Sequence, residues 1–347
     1  MQFKTFLFRF SFLYNFIPIK FLMKLSRKKI IYPFYHYVED KNNENKLTSH
    51  LYKAKNRLDF IKDINFFKKH FQSLSIQDFL DNNLPKENYS FLLSFDDGLS
   101  NFFNVVVPII EEKKINVINF LNTGFIDNKA LFYRYKINLI IDFLKTNNLT
   151  KKQLKNLCEL LVINNFQLNK VYSLLKALKY EDVVKIDAIC SVLDIDIELF
   201  LRKNKPYLSS NQIQNLLKKG IYFGAHSVSH PKYSDIPYFY QILETKDSIQ
   251  YLEKNFNIKK VSFAFPFSDD NISLDFFQFL KSNKIISFGT AGLKNEQIEI
   301  DNIQRIPMEY KKSKYSAQTI LKGELILFLL KRILKKHIIL RTRIQKS

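Results

Sequence analysis

Short apolar runs alternate along the chain with segments in which apolar residues recur every three or four positions. The runs end in polar residues or glycine, which is typical of buried strands. They are IIYPFYH from Ile30, FLLSF from Phe91, INVINFL from Ile115, IYFGA from Ile221, VSFAF from Val261 and IISFG from Ile285. The helical spacing covers residues 58–70, 100–113, 238–254 and 273–283. This alternation predicts an α/β fold with a largely parallel sheet.

Residues 134–205 interrupt this alternation, because they contain three helical patterns and no strong strand pattern. We therefore predict a domain over residues 31–310 that is interrupted by a helical subdomain inserted at 134–205. The insert is expected to cover one edge of the sheet or to form a wall of the site. The alternation resumes after a capping box formed by Ser209 and Gln212, and Gly220 ends the helix that this box opens.

The positive charge of the chain is concentrated at its two ends. The net charge is +21, of which residues 1–30 carry +7 and residues 311–347 carry +10, so residues 31–310 carry only +4. A protein that grips nucleic acid displays its charge on a face of the folded domain, so we expect no nucleic-acid partner. The two cysteines, Cys158 and Cys190, lack metal-type spacing and do not make a disulfide framework.

Both ends combine basic residues with an apolar run that is too short to span a bilayer. The runs are Phe10–Ile19 and Leu325–Leu330, whereas a spanning helix needs about 20 residues. Residues 1–30 also lack the cleavage site of a signal peptide. We predict that residues 1–30 and a basic amphipathic helix at 311–347 lie on an anionic membrane surface, which makes the protein cytoplasmic and peripheral on the inner face of the membrane. The alternative is that both segments pack on the domain.

Ionisable residues follow two of the predicted strands directly. Asp96 and Asp97 come after FLLSF, and His226 comes after IYFGA, with His230 four positions later. Catalytic groups of parallel α/β folds gather at the carboxyl ends of the strands, so these side chains are expected to meet. Two histidines and Asp97 would bind one divalent metal and leave coordination positions open, as catalytic zinc requires. Asp96, beside the metal ligand but not bound, would take a proton from water.

The same stretches resemble the motifs of a known family. SFDDG, ending at Gly98, resembles the Thr-Phe-Asp-Asp-Gly motif of the polysaccharide deacetylase family, also called the NodB-homology or carbohydrate esterase family 4 domain. HSVSH, from His226, matches its His-Ser/Thr-x-x-His motif. FPFS at Phe265–Ser268 resembles the third motif, and YHYV from Tyr35 resembles the start of many members. The resemblance covers about residues 30–130 and 207–310 and omits the helical insert.

The resemblance implies a distorted (β/α) barrel that removes acetyl groups from sugars with a divalent metal, for which we expect Zn²⁺. By position, Asp96 is the general base, and Asp97, His226 and His230 are the metal ligands. The backbone N–H of Phe267 would help to hold the oxyanion. The expected substrate is an N- or O-acetylated saccharide of a surface-polysaccharide precursor or a lipid-linked sugar intermediate.

Three features of the family pattern are missing. Ala264 stands where the third motif has an arginine, the chain has no tryptophan, and His337 is the sole histidine after His230, so the late Leu-x-His is absent. Arg305 is the candidate to replace the missing arginine, and His36 is the candidate proton donor. These departures leave open a non-catalytic metal- and saccharide-binding relative. An iron-dependent oxygenase also uses two histidines and one carboxylate, although the adjacent Asp96 favours hydrolysis.

Overall fold

The computed structural model describes residues 2–40, 54–297, 299–310 and 315–344. The strands, in chain order, are β1 (Ile30–Ile31), β2 (Pro33–Tyr35), β3 (Val38–Glu39), β4 (Lys55–Asn56), β5 (Gln72–Ser73), β6 (Ser90–Phe91), β7 (Leu93–Phe95), β8 (Val117–Leu121), β9 (Tyr222–Ala225), β10 (Phe263–Ala264), β11 (Ser287–Gly289), β12 (Asn295–Glu296), β13 (Asn302–Gln304), β14 (Ile306–Pro307) and β15 (Ile338–Ile339).

The helices, in chain order, are α1 (Gln2–Arg9), α2 (Ile19–Ser26), α3 (Arg57–His70), α4 (Ile76–Leu80), α5 (Val107–Glu112), α6 (Tyr133–Thr146), α7 (Lys151–Leu161), α8 (Leu168–Ala177), α9 (Val183–Val192), α10 (Ile197–Asn204), α11 (Ser210–Lys218), α12 (Tyr238–Phe256), α13 (Leu274–Ser282) and α14 (Ala317–Ile333). The predicted capping box opens α11 with both of its hydrogen bonds. In the described residues, no helix combines the length and the apolar character that crossing a bilayer requires.

The central sheet closes on itself through one short segment of chain. Eight strands pair in the order β13-β11-β10-β9-β8-β7-β2-β14, and every pairing is parallel. Only Arg305 separates β13 from β14, so the two ends of the sheet are consecutive in the sequence. Gln304 pairs with Gly289 on one side, and Ile306 pairs with Pro33 on the other. The predicted distorted (β/α) barrel is confirmed.

The strands read as continuous apolar runs because both of their faces are buried. In β8, Ile118 and Phe120 join a cluster with Ala264 of β10 and Phe288 of β11, which lie elsewhere around the barrel. The alternate residue Leu121 joins a larger cluster that includes side chains of the surrounding helices. Successive side chains of a strand point to opposite faces, so β8 contributes to both cores.

The helices α6 to α10 enclose a hydrophobic core of their own, which is distinct from the cores of the barrel. Its buried side chains include Ile140, Leu157, Leu175 and Ile189, one from each of four helices. Tyr207, which follows the last of these helices, belongs to the same core. The insert therefore folds around its own apolar centre and rests against the barrel.

The apolar run near the C-terminus does not form the exposed face that the sequence predicts. Leu325, Leu327 and Phe328 are buried in α14, which packs against α1, α2 and α3. The run was open to two interpretations because an apolar helix face suits a protein core as well as a lipid surface. After α14 the chain adds β15, which pairs with β12. Residues 311–314 and 345–347 of the predicted C-terminal segment lie outside the described residues.

Candidate active site

Two barrel strands that lie on either side of β8 deliver four buried ionisable side chains to one end of the barrel. Asp96 and Asp97 follow β7, and His226 follows β9, with His230 in the next turn. Asp97 has a φ of 73° and His230 a φ of 59°, a left-handed conformation that is uncommon outside glycine and that recurs at functional sites. Gly98 shares this conformation, and a Cβ there would lie 2.8 Å from Leu121 Cδ2.

Asp97, His226 and His230 form a candidate metal site. Each offers one ligand atom, and these atoms all lie within 4.8 Å of one another. Asp97 Oδ1 is 3.1 Å from His230 Nε2 and 3.6 Å from His226 Nε2. The predicted set of two imidazoles and one carboxylate is therefore assembled around a common point.

His226 is prepared to act as a metal ligand. Its Nδ1 lies 2.8 Å from the carbonyl oxygen of Ala264, so Nδ1 carries the proton and Nε2 keeps its lone pair. Burial lowers the pKa of His226 to about 4, which leaves the ring neutral at pH 7. A neutral imidazole with a backbone partner on its other nitrogen is the usual state of a metal-binding histidine.

The two oxygens of Asp97 have different surroundings. Oδ1, which faces the histidines, is buried and accepts no hydrogen bond from any described residue. Oδ2 accepts a hydrogen bond of 2.8 Å from the hydroxyl of Tyr135 in α6. A buried carboxylate oxygen without a donor is costly unless a cation meets it, so the surroundings of Oδ1 fit a bound divalent metal. Tyr135 holds the other oxygen and so orients the carboxylate.

Asp96 is held by a buried arginine. Arg305 donates from Nη1 to Asp96 Oδ1 at 2.7 Å and from Nη2 to Asp96 Oδ2 at 2.8 Å. Arg305 is 0% exposed, and its guanidinium also donates to Ser94 Oγ and to the carbonyl oxygen of Gly289. The ring of Phe34 lies 4.3 Å from the guanidinium carbon. This bidentate pair fixes the carboxylate in orientation as well as in charge.

The charge of Asp96 follows from this pairing. Burial by itself raises the pKa of the carboxyl, but the guanidinium of Arg305 and the nearby His226 outweigh burial and place the pKa of Asp96 below its ordinary value. Asp96 is therefore ionised at neutral pH. An ionised carboxylate that is not needed as a metal ligand is available to accept a proton.

His36 is paired with a buried glutamate that the sequence did not reveal. Its Nδ1 lies 2.6 Å from Glu309 Oε2, and the side chain of Glu309 also accepts hydrogen bonds from the backbone N–H groups of His36 and Tyr37. Burial lowers the pKa of His36, but the charge of Glu309 outweighs burial, and the charges of Asp97 and Asp96 add to it, so the pKa rises to about 9. His36 is therefore protonated at neutral pH.

Two aromatic rings lie beside His230, one from the residue before α6 and one from the barrel. The ring of Phe132, which immediately precedes α6, lies 4.2 Å from the ring of His230. Phe267, with a φ of 60°, places its ring 4.9 Å from the ring of the same histidine and 5.9 Å from that of Phe132, and its side chain is 40% exposed. The structure thus puts Phe267 at the rim of the site, where the role of its backbone N–H stays a prediction.

Two residues of this site, Glu309 and Tyr135, were missed in the sequence. Glu309 follows β14, so it obeys the same rule of strand ends as the aspartates, and recognising that strand in IQRIP would have found it. Tyr135 lies in a helix of the insert and carries no motif. Sequence spacing gives no signal for a contact made between two separate cores.

The family model for polysaccharide deacetylases matches residues 84–282, which include both motif regions and the whole insert. The chain belongs to the polysaccharide deacetylase family. It is therefore a sugar deacetylase, a hydrolase, as its motifs predicted. A comparison with curated proteins gave no match.

Solved deacetylases share the fold at low sequence identity. Streptococcus pyogenes deacetylase PplD, solved in complex with acetate, is 16% identical over 85% of this chain and 98% of its own, with a TM-score of 0.52. IcaB from Ammonifex degensii is 12% identical over 86% of this chain and 97% of its own, with a TM-score of 0.50. A de-N-acetylase from Aggregatibacter actinomycetemcomitans is 12% identical over 84% of this chain and 99% of its own, also at 0.50.

Proposed function

We propose that this polysaccharide deacetylase is a metal-dependent enzyme that hydrolyses the acetyl group of an N- or O-acetylated saccharide. One observation carries the proposal: two adjacent carboxylates at one strand end have opposite surroundings. Asp97 faces two histidine nitrogens through an oxygen that lacks a hydrogen-bond donor, whereas Asp96 is locked by Arg305. A metal ligand and a general base need these two environments.

The residues that would hold the metal are Asp97, His226 and His230. This donor set is that of catalytic zinc sites, and Zn²⁺ is the ion that we propose. A divalent metal bound there supplies Lewis acidity, which acidifies water and polarises a carbonyl. His226 contributes through Nε2, because its Nδ1–H is engaged by the carbonyl oxygen of Ala264.

Asp96 acts in the proposal as the general base. Its carboxylate takes a proton from the water that attacks the acetyl carbon, and Arg305 keeps it ionised and correctly oriented. Arg305 thereby takes the place of the arginine that Ala264 replaces in the third motif. The backbone N–H of Phe267 is proposed to donate to the developing oxyanion.

His36 acts in the proposal as the general acid. It is charged because of Glu309, its side chain is 26% exposed, and it lies close enough to Asp96 and Asp97 to feel their charges. The imidazolium donates its proton to the departing amine or alcohol, and this supplies the function of the absent Leu-x-His motif.

The proposed substrate is a surface-polysaccharide precursor or a lipid-linked sugar that carries acetyl groups. Family membership supports an acetylated saccharide. A relative that only binds metal and saccharide is the alternative that the missing motif residues first left open. The locked Asp96–Arg305 pair favours turnover, because a binding protein has no use for an oriented base.

Acetate release tests the proposed reaction. The protein is incubated with N-acetylated and O-acetylated oligosaccharides, in parallel with and without a chelator, and zinc is then restored to the chelated sample. Acetate should appear, stop with the chelator and return with zinc. Asp96→Asn should keep bound zinc and release no acetate. Release that is unaffected by the chelator would contradict metal dependence, and the absence of release from a zinc-loaded protein across the whole panel would favour the binding relative.

A further inference from the structure

The N-terminal segment exposes a group of large apolar side chains. They are between 39% and 78% exposed, and they are Phe6, Phe10, Phe12, Leu13, Phe16 and Phe21. We call this group the N-terminal apolar surface. The ring centroids of Phe6 and Phe10 lie 4.7 Å apart, and those of Phe10 and Phe12 lie 6.1 Å apart. Soluble proteins rarely leave contiguous apolar groups in water unless a partner covers them.

The opposite side of the same segment is anchored to the protein. Phe8 is 1% exposed and packs edge-on against Tyr310 at 5.2 Å between centroids. Lys4 forms an ion pair of 2.7 Å with Glu324 of α14. Arg332 of the same helix donates a hydrogen bond of 3.1 Å to a carbonyl oxygen of α2. The exposed side chains therefore belong to a fixed face, and turning them inward would break these contacts.

The segment that carries this face also carries exposed basic side chains. Residues 2–29 contain no acidic residue. The exposed basic side chains of α1, of α2 and of the residue after α2 are Arg9, Lys20, Lys24 and Arg27. At the end of α14, where Arg332 contacts α2, Ile333 and Leu334 are 78% and 65% exposed and precede the exposed Lys335 and Lys336. Aromatic rings bordered by cations match an anionic lipid surface, whereas protein interfaces are depleted of lysine.

We propose that the N-terminal apolar surface docks on an anionic lipid bilayer. The aromatic rings enter the boundary between headgroups and acyl chains, and the basic side chains lie against lipid phosphates. The inner leaflet facing the cytoplasm has this negative charge. The buried side chains of α14, Leu325, Leu327 and Phe328, support the N-terminal segment from behind and do not themselves meet the lipid.

The N-terminal segment contacts the residues that follow β14 at the active site. Tyr310, against which Phe8 packs, directly follows Glu309, the partner of His36. The segment that we propose to dock on the bilayer is therefore packed against the active-site end of β14, which suits a saccharide carried on a membrane lipid. This last step rests on the proposed function, whereas docking itself does not.

Vesicle flotation tests the docking. Full-length protein is mixed with vesicles of equal parts phosphatidylcholine and phosphatidylglycerol, and with vesicles of phosphatidylcholine alone. The protein should float with the anionic vesicles at low salt and lose part of this binding near 1 M salt, where the screening length is about 3 Å. The triple variant Phe10→Ser, Phe12→Ser, Phe16→Ser should bind about tenfold or more weakly, because the apolar contribution is lost.

Two control variants separate docking from general effects. The triple variant Val162→Ser, Val184→Ser, Leu199→Ser removes apolar side chains of similar exposure, 86%, 79% and 38%, from the insert, and it should float like the parent protein. His226→Ala should also float unchanged, because docking does not need the metal site. A failure of docking and a failure of catalysis are thereby distinguished.

Point substitutions are preferable to a truncation at residue 325, since Leu325 and Phe328 belong to the core. Parent protein that stays in the unbound fraction with anionic vesicles at low salt would overturn the proposal. So would equal flotation of the parent protein and of the Phe10, Phe12 and Phe16 variant. Sedimentation that shows a dimer of the parent protein, but not of this variant, together with no flotation, would assign the surface to a second copy of the chain.

Discussion

The barrel side and the insert side of the site contribute different kinds of side chain. The barrel side contributes ionisable groups that follow strand ends or lie within the closing segment, namely His36, Asp96, Asp97, His226, Arg305 and Glu309. The insert side contributes the hydroxyl of Tyr135 and the ring of Phe132, which are neutral. The reacting groups are thus confined to the barrel side.

The difference has a physical reason. An unpaired buried charge costs several kcal/mol, so each charged group needs partners that stay in place, and strands hydrogen-bonded on both sides provide them. Displacing or replacing a neutral hydroxyl or ring costs less free energy than doing so with a buried charge. The barrel is therefore expected to decide which reaction occurs, and the insert to adjust how firmly the site holds its metal. Substitutions on the barrel side should have the larger effects.

The largest expected effect is the loss of a metal ligand. His226→Ala removes one of three protein ligands, and zinc affinity should fall by more than about 100-fold, since even an outer hydrogen bond is worth about 10–100-fold. Asp97→Ala should behave in the same way. Asp96→Asn should keep the zinc and lose about 10²–10⁴ in turnover, because an amide cannot accept the proton. Equal metal loss in all three variants, measured by zinc content after dialysis, would contradict the division of roles between the two aspartates.

The next effect concerns the closing segment of the barrel. Arg305→Ala removes the cation that keeps Asp96 ionised, so the pKa of Asp96 should rise and the acidic limb of the pH–rate profile should move to higher pH. Zinc content should be unchanged. Leaving Asp96 buried without its partner should also lower the free energy of unfolding by about 3–5 kcal/mol at pH 7.

Arg305→Lys is the matched variant, because it restores one positive charge without the bidentate geometry. It should recover part of the shift in the acidic limb and little of the turnover. A profile that stays in place in both variants, with zinc retained, would show that Arg305 is structural. The lowered pKa of Asp96 also affects how the free energy of unfolding depends on pH. It stabilises the parent fold above about pH 4, the ordinary pKa of Asp, and this stabilisation is lost as the pH falls through the lowered pKa.

A smaller effect is expected for the glutamate behind His36. Glu309→Gln keeps the shape but removes the charge that raises the pKa of His36 to about 9. The basic limb of the pH–rate profile should then move to lower pH, and the rate at pH 8 should fall by about tenfold. Glu324→Gln, a buried glutamate paired with Lys4 outside the site, is the control. If the limb does not move in Glu309→Gln, His36 is not the acid that this limb reports.

Much of the barrel could be predicted from the sequence because its strands are buried on both faces. Six strands of the barrel sheet lie within the predicted runs, which begin at Ile30, Phe91, Ile115, Ile221, Val261 and Ile285. The closing segment escaped this pattern since Asn302, Gln304 and Arg305 are polar. Their side chains are buried in hydrogen-bonded pairs with Asp269 and Asp96, which an apolar pattern cannot show.

The residues of the site likewise fall into those that the sequence pattern could reveal and those that it could not. The motif positions could be predicted because adjacent residues at a strand end stay adjacent in space. Arg305 could be predicted because the family pattern lacks its usual arginine in this chain. Tyr135 could not be found, since its contact with Asp97 depends on how the insert packs against the barrel. The C-terminal run misled for a related reason: hydrophobicity alone does not tell whether protein or lipid covers a helix face.

The smallest expected effect on metal binding tests the insert directly. Tyr135→Phe removes the hydroxyl that donates to Asp97 Oδ2 at 2.8 Å and leaves the ring in place. Asp97 should then be less firmly oriented, and zinc affinity should fall by about 10–100-fold, the usual value of a hydrogen bond to a ligating residue. Competition with a fluorescent zinc chelator measures this change without any substrate. Tyr133→Phe, on the same helix, is the matched control. It removes the hydroxyl of a buried tyrosine that accepts a hydrogen bond from Arg134, and its zinc affinity should equal that of the parent protein. Unchanged zinc affinity in both variants would show that the insert does not contribute to metal binding. A loss as large as that of His226→Ala would show that the insert contributes as much to metal binding as a residue of the barrel side.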